Sequence, residues 1–310
     1  MASTKPKKTG KKNSQKTKTT VKSAKTEKPV AKPNTKKVEK EETKPVEVVA
    51  EKTAKKVKFF DKKCDTSENI LTVFKSKKIW AAVLGEVLGS LLITMVLLTL
   101  GVYQPLYILF VIIAATVAVY KLSGAHLNPI VTVGMMATRR VSAIRGILYI
   151  IAQIVGAWLA LIIVNLFHMA GGESASDLPA MTEIADGMFW TTAMIEFLGA
   201  TIIGFFFARA QQFKRSTFTF AAVVGGGMMI AIVVAYLMSY QFFALTNNFI
   251  LNPAAALMYQ ILPSTADGIG QLLGSVAIAL LSYVIFPMIG GVIGFFISDG
   301  ASVLNEENLE

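Results

Sequence analysis

The segments SGAHLNPI (residues 123–130) and TNNFILNPA (residues 246–254) each place an Asn-Pro pair between two long apolar stretches. Asn is favoured immediately before a helix, and Pro suits the first helical position because no N–H is needed there. Each Asn-Pro pair therefore predicts the start of a helix. Short helices at matching positions in the two halves of a membrane protein are typical of a transport path.

Six other apolar stretches are long enough to cross about 30 Å of hydrocarbon as helices. The stretches that begin at the two Asn-Pro pairs are shorter, and at about 1.5 Å per residue each would cover about half of that thickness. We therefore predict an all-α membrane protein with six transmembrane helices and two half-membrane re-entrant helices. The six predicted spans are residues 79–101, 105–121, 146–168, 188–209, 217–239 and 269–297, and the short helices are residues 128–137 and 252–262.

Loop charges predict the orientation of these spans, because Lys and Arg concentrate in short cytoplasmic loops. The segment 169–187, between spans three and four, contains four acidic residues and no Lys or Arg. The basic residues lie between spans two and three and between spans four and five, which are on the opposite side. They are Lys121, Arg139, Arg140, Arg145, Arg209, Lys214 and Arg215. We predict that both termini are cytoplasmic.

The apolar part of the chain contains an internal repeat. Span one carries GEVLGS (residues 85–90) and span four carries IEFLGA (residues 195–200). Each span begins a unit of three spans with an Asn-Pro segment between its second and third members, about residues 79–168 and 188–297. Because three is an odd number, the second unit is inverted relative to the first. The two short helices then enter from opposite faces and their N-termini meet near the midplane.

The N-terminal region has a different composition. Residues 1–78 contain 24 Lys, no Arg and 9 acidic residues, whereas the whole chain has a net charge of +11. Such a segment buries too little apolar surface to offset its ordering entropy, so we predict a disordered, Lys-rich cytoplasmic tail over residues 1–78. Residues 298–310 are predicted to form a short acidic C-terminal tail.

Three interpretations of the Lys-rich tail remain open. It could be attracted to anionic lipid by about 1 kcal/mol for each Lys near the surface. It could also bind nucleic acid without specificity, or serve only as a solvated tether. We favour a tether with weak attraction to anionic lipid and expect no specific nucleic-acid partner.

The ordered set of motifs on six spans resembles the major intrinsic protein family, the aquaporins and aquaglyceroporins. The resemblance covers about residues 79–297 and rests on both Asn-Pro segments and on QIVGA (residues 153–157) and PMIGG (residues 287–291). It implies a passive channel for water and small uncharged solutes, glycerol among them, in the plasma membrane. It further implies a homotetramer with one pore in each subunit. We expect no enzymatic activity, no cofactor and no metal.

The pore centre is expected at the two Asn-Pro boxes. Two opposed helix N-termini place positive partial charge at the midplane, which opposes cations. Asn128 and Asn252 can each direct a side-chain NH₂ to a permeating oxygen while their own oxygens cap the helices. The remaining box residues are Pro129, Ile130, Pro253 and Ala254.

Three polar residues are expected to support the loops before the short helices. Glu86 and Glu196 lie within apolar spans, where an unsatisfied carboxylate is costly. Proton relay is one interpretation of these residues, and backbone hydrogen bonding is the one that the resemblance implies. The resemblance also assigns loop support and an inner-vestibule position to His126. A metal site is not expected because the sequence offers no second ligand at a suitable spacing.

The second box departs from the family pattern. Where the family usually has Arg after Asn-Pro-Ala, this chain has Ala255. Counting from the boxes as the family does places the other members of the outer constriction at Ile108, Tyr240 and Phe249. These four residues would form an apolar ring without a fixed charge, which favours neutral solutes.

Two functions are alternatives to a passive channel. A secondary transporter could use the same inverted-repeat scaffold, but it would need a titratable or ion-binding group in the path. An intramembrane enzyme is disfavoured because the sequence has neither a His-Glu-x-x-His pair nor a Gly-x-Ser-x-Gly elbow.

Overall fold

The computed structural model describes residues 70–100, 102, 104–171, 184, 187–213, 216–243, 249–259 and 268–307. All regular secondary structure in these ranges is helical. The predicted disordered tail falls outside the described residues up to position 69, as do the last three residues of the chain.

Ten α-helices are described in chain order. They are α1 (Ile70–Lys75), α2 (Lys77–Leu100), α3 (Pro105–Ser123), α4 (Pro129–Ala137), α5 (Ala143–Ala170), α6 (Phe189–Ala210), α7 (Thr217–Phe243), α8 (Pro253–Tyr259), α9 (Ile269–Leu280) and α10 (Phe286–Glu307). A short 3₁₀ segment, Gln211–Phe213, follows α6, and a π-helical turn, Leu281–Ile285, joins α9 to α10.

Among the described residues, six helical segments are long and apolar enough to cross a membrane, which confirms the predicted number of spans. The last of them is formed by α9, the π turn and α10 together, and runs over Ile269–Leu304. The two helices that begin at Pro129 and Pro253 have 9 and 7 residues. At about 1.5 Å per residue they are too short to span the hydrocarbon.

Helices extend into both of the segments that the sequence predicts as tails. Helix α1 and the first residues of α2 lie within the region expected to be disordered, because Val73 and Ile79 are buried against Ala82 and Tyr149. At the other end, α10 continues without interruption to Glu307. The segment 298–307 is therefore part of a helix, which Asp299 ties to the neighbouring loop through an ion pair with Arg140.

The packing of the helices shows the internal repeat. Helix α2 packs against α5 and α3, and its counterpart α6 packs against α10 and α7. The short helix α4 packs mainly against α10, and α8 packs mainly against α5. Each short helix is thus held by the last long helix of the opposite repeat, so that the two halves interlock.

Close approach of the long helices depends on glycines, two of which hold matching positions in the two repeats. A Cβ on Gly156 of α5 would lie 2.3 Å from the carbonyl oxygen of Val87 in α2. A Cβ on Gly290 of α10 would lie 2.3 Å from the carbonyl oxygen of Phe197 in α6. Helix backbones approach this closely in membranes when small residues lie at the contact.

The π turn has an identifiable cause. Pro287 has no N–H to donate, and its ring conflicts with the carbonyl four residues earlier in a regular helix. The chain widens immediately before it, where Phe286 donates its N–H to the oxygen of Leu281, five residues back. The extra residue in this turn lets one long span continue across the proline.

Candidate functional site

The short helices begin at the predicted Asn residues, and each Asn caps its helix. Asn128 is extended, and its Oδ1 accepts a 2.9 Å hydrogen bond from the N–H of Ile130. The Oδ1 of Asn252 accepts hydrogen bonds from the N–H groups of Ala254 and Ala255, at 3.1 and 3.4 Å. Both caps leave the side-chain NH₂ directed away from the helix that it begins.

The two Asn-Pro boxes meet. The Nδ2 of Asn128 donates a 2.8 Å hydrogen bond to the carbonyl oxygen of Leu251, which immediately precedes Asn252. The Nδ2 of Asn252 is buried and has no hydrogen-bond partner among the described residues. Because a buried donor normally finds a partner, this NH₂ marks a place where a small polar molecule can bind.

Both Asn side chains line one cavity, which we call the midplane cavity. The space open to the centre of a water-sized sphere is about 30 Å³. A single water needs about 10 to 15 Å³ by this measure, so the cavity holds about two waters. Its lining residues are Ile93, Ile112, Thr116, Ala125, His126, Leu127, Asn128, Val131, Ile203, Val224, Met228 and Asn252.

The wall of the midplane cavity is largely aliphatic, with a few polar groups. Thr116 is fully buried on α3, and its Oγ1 has no hydrogen-bond partner within the described part of the chain. Sequence reasoning did not identify this residue as part of the site. The sequence gives little indication of this position, because the hydroxyl of a single Thr within an apolar span more often bonds to the backbone of its own helix.

The carboxylate of Glu86 holds the loop that leads to the first box. It accepts the N–H of His126 at 2.9 Å and the N–H of Leu127 at 2.7 Å. Gln153 on α5 donates its Nε2 to the same carboxylate at 2.7 Å and to the Oγ1 of Thr132 at 3.0 Å. The loop is therefore fastened to two long helices, and the contribution of Gln153 was not expected from the sequence.

Glu196 holds the second loop in the same way. Its carboxylate accepts the N–H groups of Ile250 and Leu251. The position that matches Gln153 is Pro287 in the second repeat, which has no side-chain donor. Both carboxylates are fully buried and are bonded to backbone N–H groups, as a structural role requires.

The residue before each Asn has a left-handed backbone. Leu127 and Leu251 both have φ of 56°, a conformation that non-glycine residues adopt rarely. Their side chains pack on Gly89 and Gly199, where an added Cβ would lie 2.3 and 2.4 Å from the leucine Cδ2 atoms. Strained backbone of this kind persists only where its surroundings fix it, and it concentrates at functional sites.

His126 lies where the first loop meets the midplane cavity. Its ring is 4% exposed, and Nδ1 is 3.2 Å from the Oγ1 of Thr132. The edges of Tyr149 and Phe207 contact the ring, with centroids 5.1 and 5.9 Å away. Within the described part of the chain, no group of three or more metal-binding side chains surrounds it or any other site.

The other box residues are buried in the protein. Pro129, Ile130, Pro253 and Ala254 have little or no exposed surface. Ile130 faces α10, where a Cβ on Gly291 would lie 2.5 Å from its Cγ2. The larger residue in the first box is thus accommodated by a glycine on the neighbouring helix and does not line the midplane cavity.

One member of the predicted constriction is wrongly placed. Tyr240 is 56% exposed and stacks on Tyr236, with ring centroids 6.0 Å apart. The face of α7 that lines the midplane cavity includes Met228, and the buried face continues to Ser239. Tyr240 is turned away from that face, because adjacent helical residues point about 100° apart.

The remaining constriction residues are buried together in the main apolar cluster. Ile108 and Ala255 are fully buried, and Phe249 is 2% exposed. Ile108 lies one turn beyond Ile112 on the face of α3 that lines the midplane cavity, so it continues the same apolar wall.

Comparison with known proteins identifies the family of this chain. The family model described as Major intrinsic protein matches residues 73–298. This chain belongs to the major intrinsic protein family. The match covers both short helices and all six spans except the last residues of the sixth, as the resemblance noted in the sequence implies.

Several known proteins are similar to this chain. Glycerol uptake facilitator protein-like 6 of Lactiplantibacillus plantarum is 33% identical over 193 residues, which are 59% of this chain and 79% of that protein. Aquaporin-1 of Ovis aries is 36% identical over 111 residues, which are 30% of this chain and 41% of that protein. The crystal structure of the aquaglyceroporin from Plasmodium falciparum is similar with a TM-score of 0.49 and 17% identity, covering 72% of this chain and 94% of that one.

Proposed function

We propose that the protein is a passive membrane channel for water and small uncharged solutes such as glycerol. The observation that carries the proposal is the meeting of two helix N-termini at one cavity, where the Nδ2 of Asn252 has no partner among the described residues. The names of the relatives support this assignment, since one is a glycerol uptake facilitator-like protein and another is an aquaporin.

A permeating oxygen would accept hydrogen bonds from the amides of Asn128 and Asn252. Its own hydrogens would then point away from the midplane, which interrupts a chain of proton transfer. The positive ends of α4 and α8 would oppose cations at the same place. These groups are held by caps and buried carboxylates and therefore need little reorganisation when a solute passes.

We propose that Ile108, Phe249 and Ala255 form an apolar outer constriction without a fixed charge. Their burial in one apolar cluster supports this placement. An apolar ring selects small neutral solutes, because a charged solute would lose its hydration there without compensation.

We also propose that the channel lies in the plasma membrane with both termini cytoplasmic, assembled as a homotetramer. Lys121 at the end of α3, Arg145 at the start of α5 and Arg209 at the end of α6 support this orientation. The Lys-rich segment that precedes α1, residues 1–69, would serve as a tether with weak attraction to anionic lipid.

The test uses purified full-length protein in lipid vesicles. Osmotic shrinkage followed by light scattering should be faster than in empty vesicles for water, and re-swelling should show entry of glycerol. Urea and ammonia in the same assay would define the solute range. Permeability equal to that of empty vesicles for both water and glycerol would reject the proposal.

A secondary transporter is the alternative, and the same vesicles distinguish it. The buried carboxylates Glu86 and Glu196 are engaged by backbone N–H groups, which favours a structural role over ion coupling. A channel should give glycerol flux that is proportional to concentration and unaffected by a proton gradient. Saturating flux that depends on that gradient would support the transporter.

A further inference from the structure

A second cavity lies at the end of the helix bundle where α2 and α5 begin and α3 ends. Its volume is about 350 Å³, which is within the range of small-molecule sites. It is separate in its lining residues from the midplane cavity. We call it the basic cavity, and its polar lining residues are Ser76, Lys78, Ser123, Arg145 and Tyr149.

Two cationic side chains line this cavity. Lys78 and Arg145 come from different helices, α2 and α5, and both line it. None of the described residues that line it is acidic. Ser76 and Ser123 add hydroxyl groups, and a guanidinium with hydroxyl and ammonium donors is the group set that binds phosphate oxygens.

Part of the wall of the basic cavity is apolar. Its apolar lining residues are Val73, Ile79, Ala82 and Leu122. A free inorganic anion would gain nothing from these side chains. A ligand that carries both a phosphate and an aliphatic part would contact both parts of the wall.

Aromatic residues place the basic cavity at the level of lipid headgroups. Trp80 is 52% exposed, its Nε1 donates a 2.9 Å hydrogen bond to the oxygen of Phe74, and the two rings lie 6.0 Å apart. Exposed Trp in a membrane protein is enriched at the membrane–water interface. Lys78 and Ile79 directly precede Trp80, so the cavity lies at that depth.

We propose that the basic cavity binds the phosphate-bearing headgroup of an anionic membrane lipid. The phosphate lies between Lys78 and Arg145, and the glycerol part and upper acyl chain lie on the apolar wall. Basic sites between transmembrane helices on the cytoplasmic side are suited to such headgroups, and this end is the one that we propose to be cytoplasmic.

The experiment titrates the full-length protein in detergent with dioctanoyl phosphatidylglycerol and counts retained lipid by native mass spectrometry. Dioctanoyl phosphatidylcholine is the control lipid. The test variant is Lys78→Gln with Arg145→Gln. The matched variant is Lys75→Gln with Lys77→Gln, which removes the same charge from exposed residues that do not line the cavity.

We expect the wild type and the matched variant to bind phosphatidylglycerol about tenfold more tightly than phosphatidylcholine, and the test variant to lose this preference. The single variant Lys78→Gln should weaken binding about threefold even if the double variant folds poorly. Equal affinity for the two lipids in the wild type, or equal loss in both double variants, would overturn the proposal. If equimolar inorganic phosphate displaced phosphatidylglycerol, the cavity would be a site for free phosphate, and the assignment to a lipid headgroup would be overturned.

Discussion

The side-chain amide of Asn128 donates a 2.8 Å hydrogen bond to the carbonyl oxygen of Leu251, directly before Asn252. One of its two hydrogens is therefore committed to joining the two boxes. Asn252 has no such bond among the described residues, and its side chain also lines the midplane cavity. The two asparagines hold matching positions in the repeat but have different tasks, because the first joins the loops and the second offers more donors to a solute.

This difference predicts opposite consequences for two matched substitutions. Asp retains the oxygen that caps each helix but has no NH₂ group. Asn252→Asp should lower water permeability about three- to tenfold, since it removes a net hydrogen bond of about 0.5 to 1.5 kcal/mol to the solute. Asn128→Asp should lower the unfolding temperature more, because it places a carboxylate oxygen against the oxygen of Leu251. Vesicle shrinkage and thermal unfolding in detergent measure the two effects, and equal behaviour of both variants would contradict this difference.

The contact between Gly199 and Leu251 predicts a strong effect of one methyl group. A Cβ at Gly199 would lie 2.4 Å from the Cδ2 of Leu251, so Gly199→Ala should destabilise the protein by about 1 to 3 kcal/mol. Gly226→Ala is the matched control, because no atom lies within 4 Å of its added Cβ. Chemical unfolding in detergent should show a loss only for the first variant. A similar loss in both variants would show that the contact with Leu251 is not the cause, because Ala is otherwise more favourable than Gly within a helix.

Removal of the Thr116 hydroxyl should change the solute preference of the channel. Thr116 lines the midplane cavity, and its hydroxyl has no partner among the described residues, so we expect it to accept a hydrogen from a solute whose oxygen is bound by Asn252. Thr116→Val keeps the shape and should lower glycerol permeability about three- to tenfold, with a smaller effect on water. Thr94→Val is the control, because its buried hydroxyl also has no partner among the described residues but does not line the cavity. If the two variants conduct glycerol equally, Thr116 does not contact the solute.

Substitution of Ala255 tests the effect of a charge at the position where the family usually has Arg. Ala255→Arg introduces a long cationic side chain into the apolar cluster that contains Ile108 and Phe249. Glycerol flux in vesicles should fall, because the side chain narrows the passage that we propose there. Residual water permeability above that of empty vesicles would show that the variant is folded. Glycerol flux that is unchanged or increased would remove Ala255 from the proposed constriction.

The spans and the starts of the short helices could be predicted from the sequence because their determinants are local. Length and apolarity define a transmembrane helix, and Asn followed by Pro defines a helix start. The order of Glu86, Asn128, Glu196 and Asn252 also indicated the repeat and the family. The ends of the chain were predicted less well, since α1 and the end of α10 depend on packing against other helices.

The direction of individual side chains around the passage required the tertiary structure. Counting from the second box assigned Tyr240 to the constriction, but the rotation of α7 turns that ring outward beside Tyr236. Helix rotation is set by contacts with neighbouring helices, and residue spacing along one chain segment does not contain them. The same applies to Gln153 and Thr116, whose tasks arise from residues on other helices.

The sequence by itself determined a six-span channel fold with two short, capped helices, because membrane insertion and helix capping act over a few neighbouring residues. Only the tertiary structure decided that Asn128 bonds to Leu251 while Asn252 faces the midplane cavity. It also brought Lys78 and Arg145 to the basic cavity from two helices. These relationships join residues that are distant in the chain, and they exist only after the two repeats interlock.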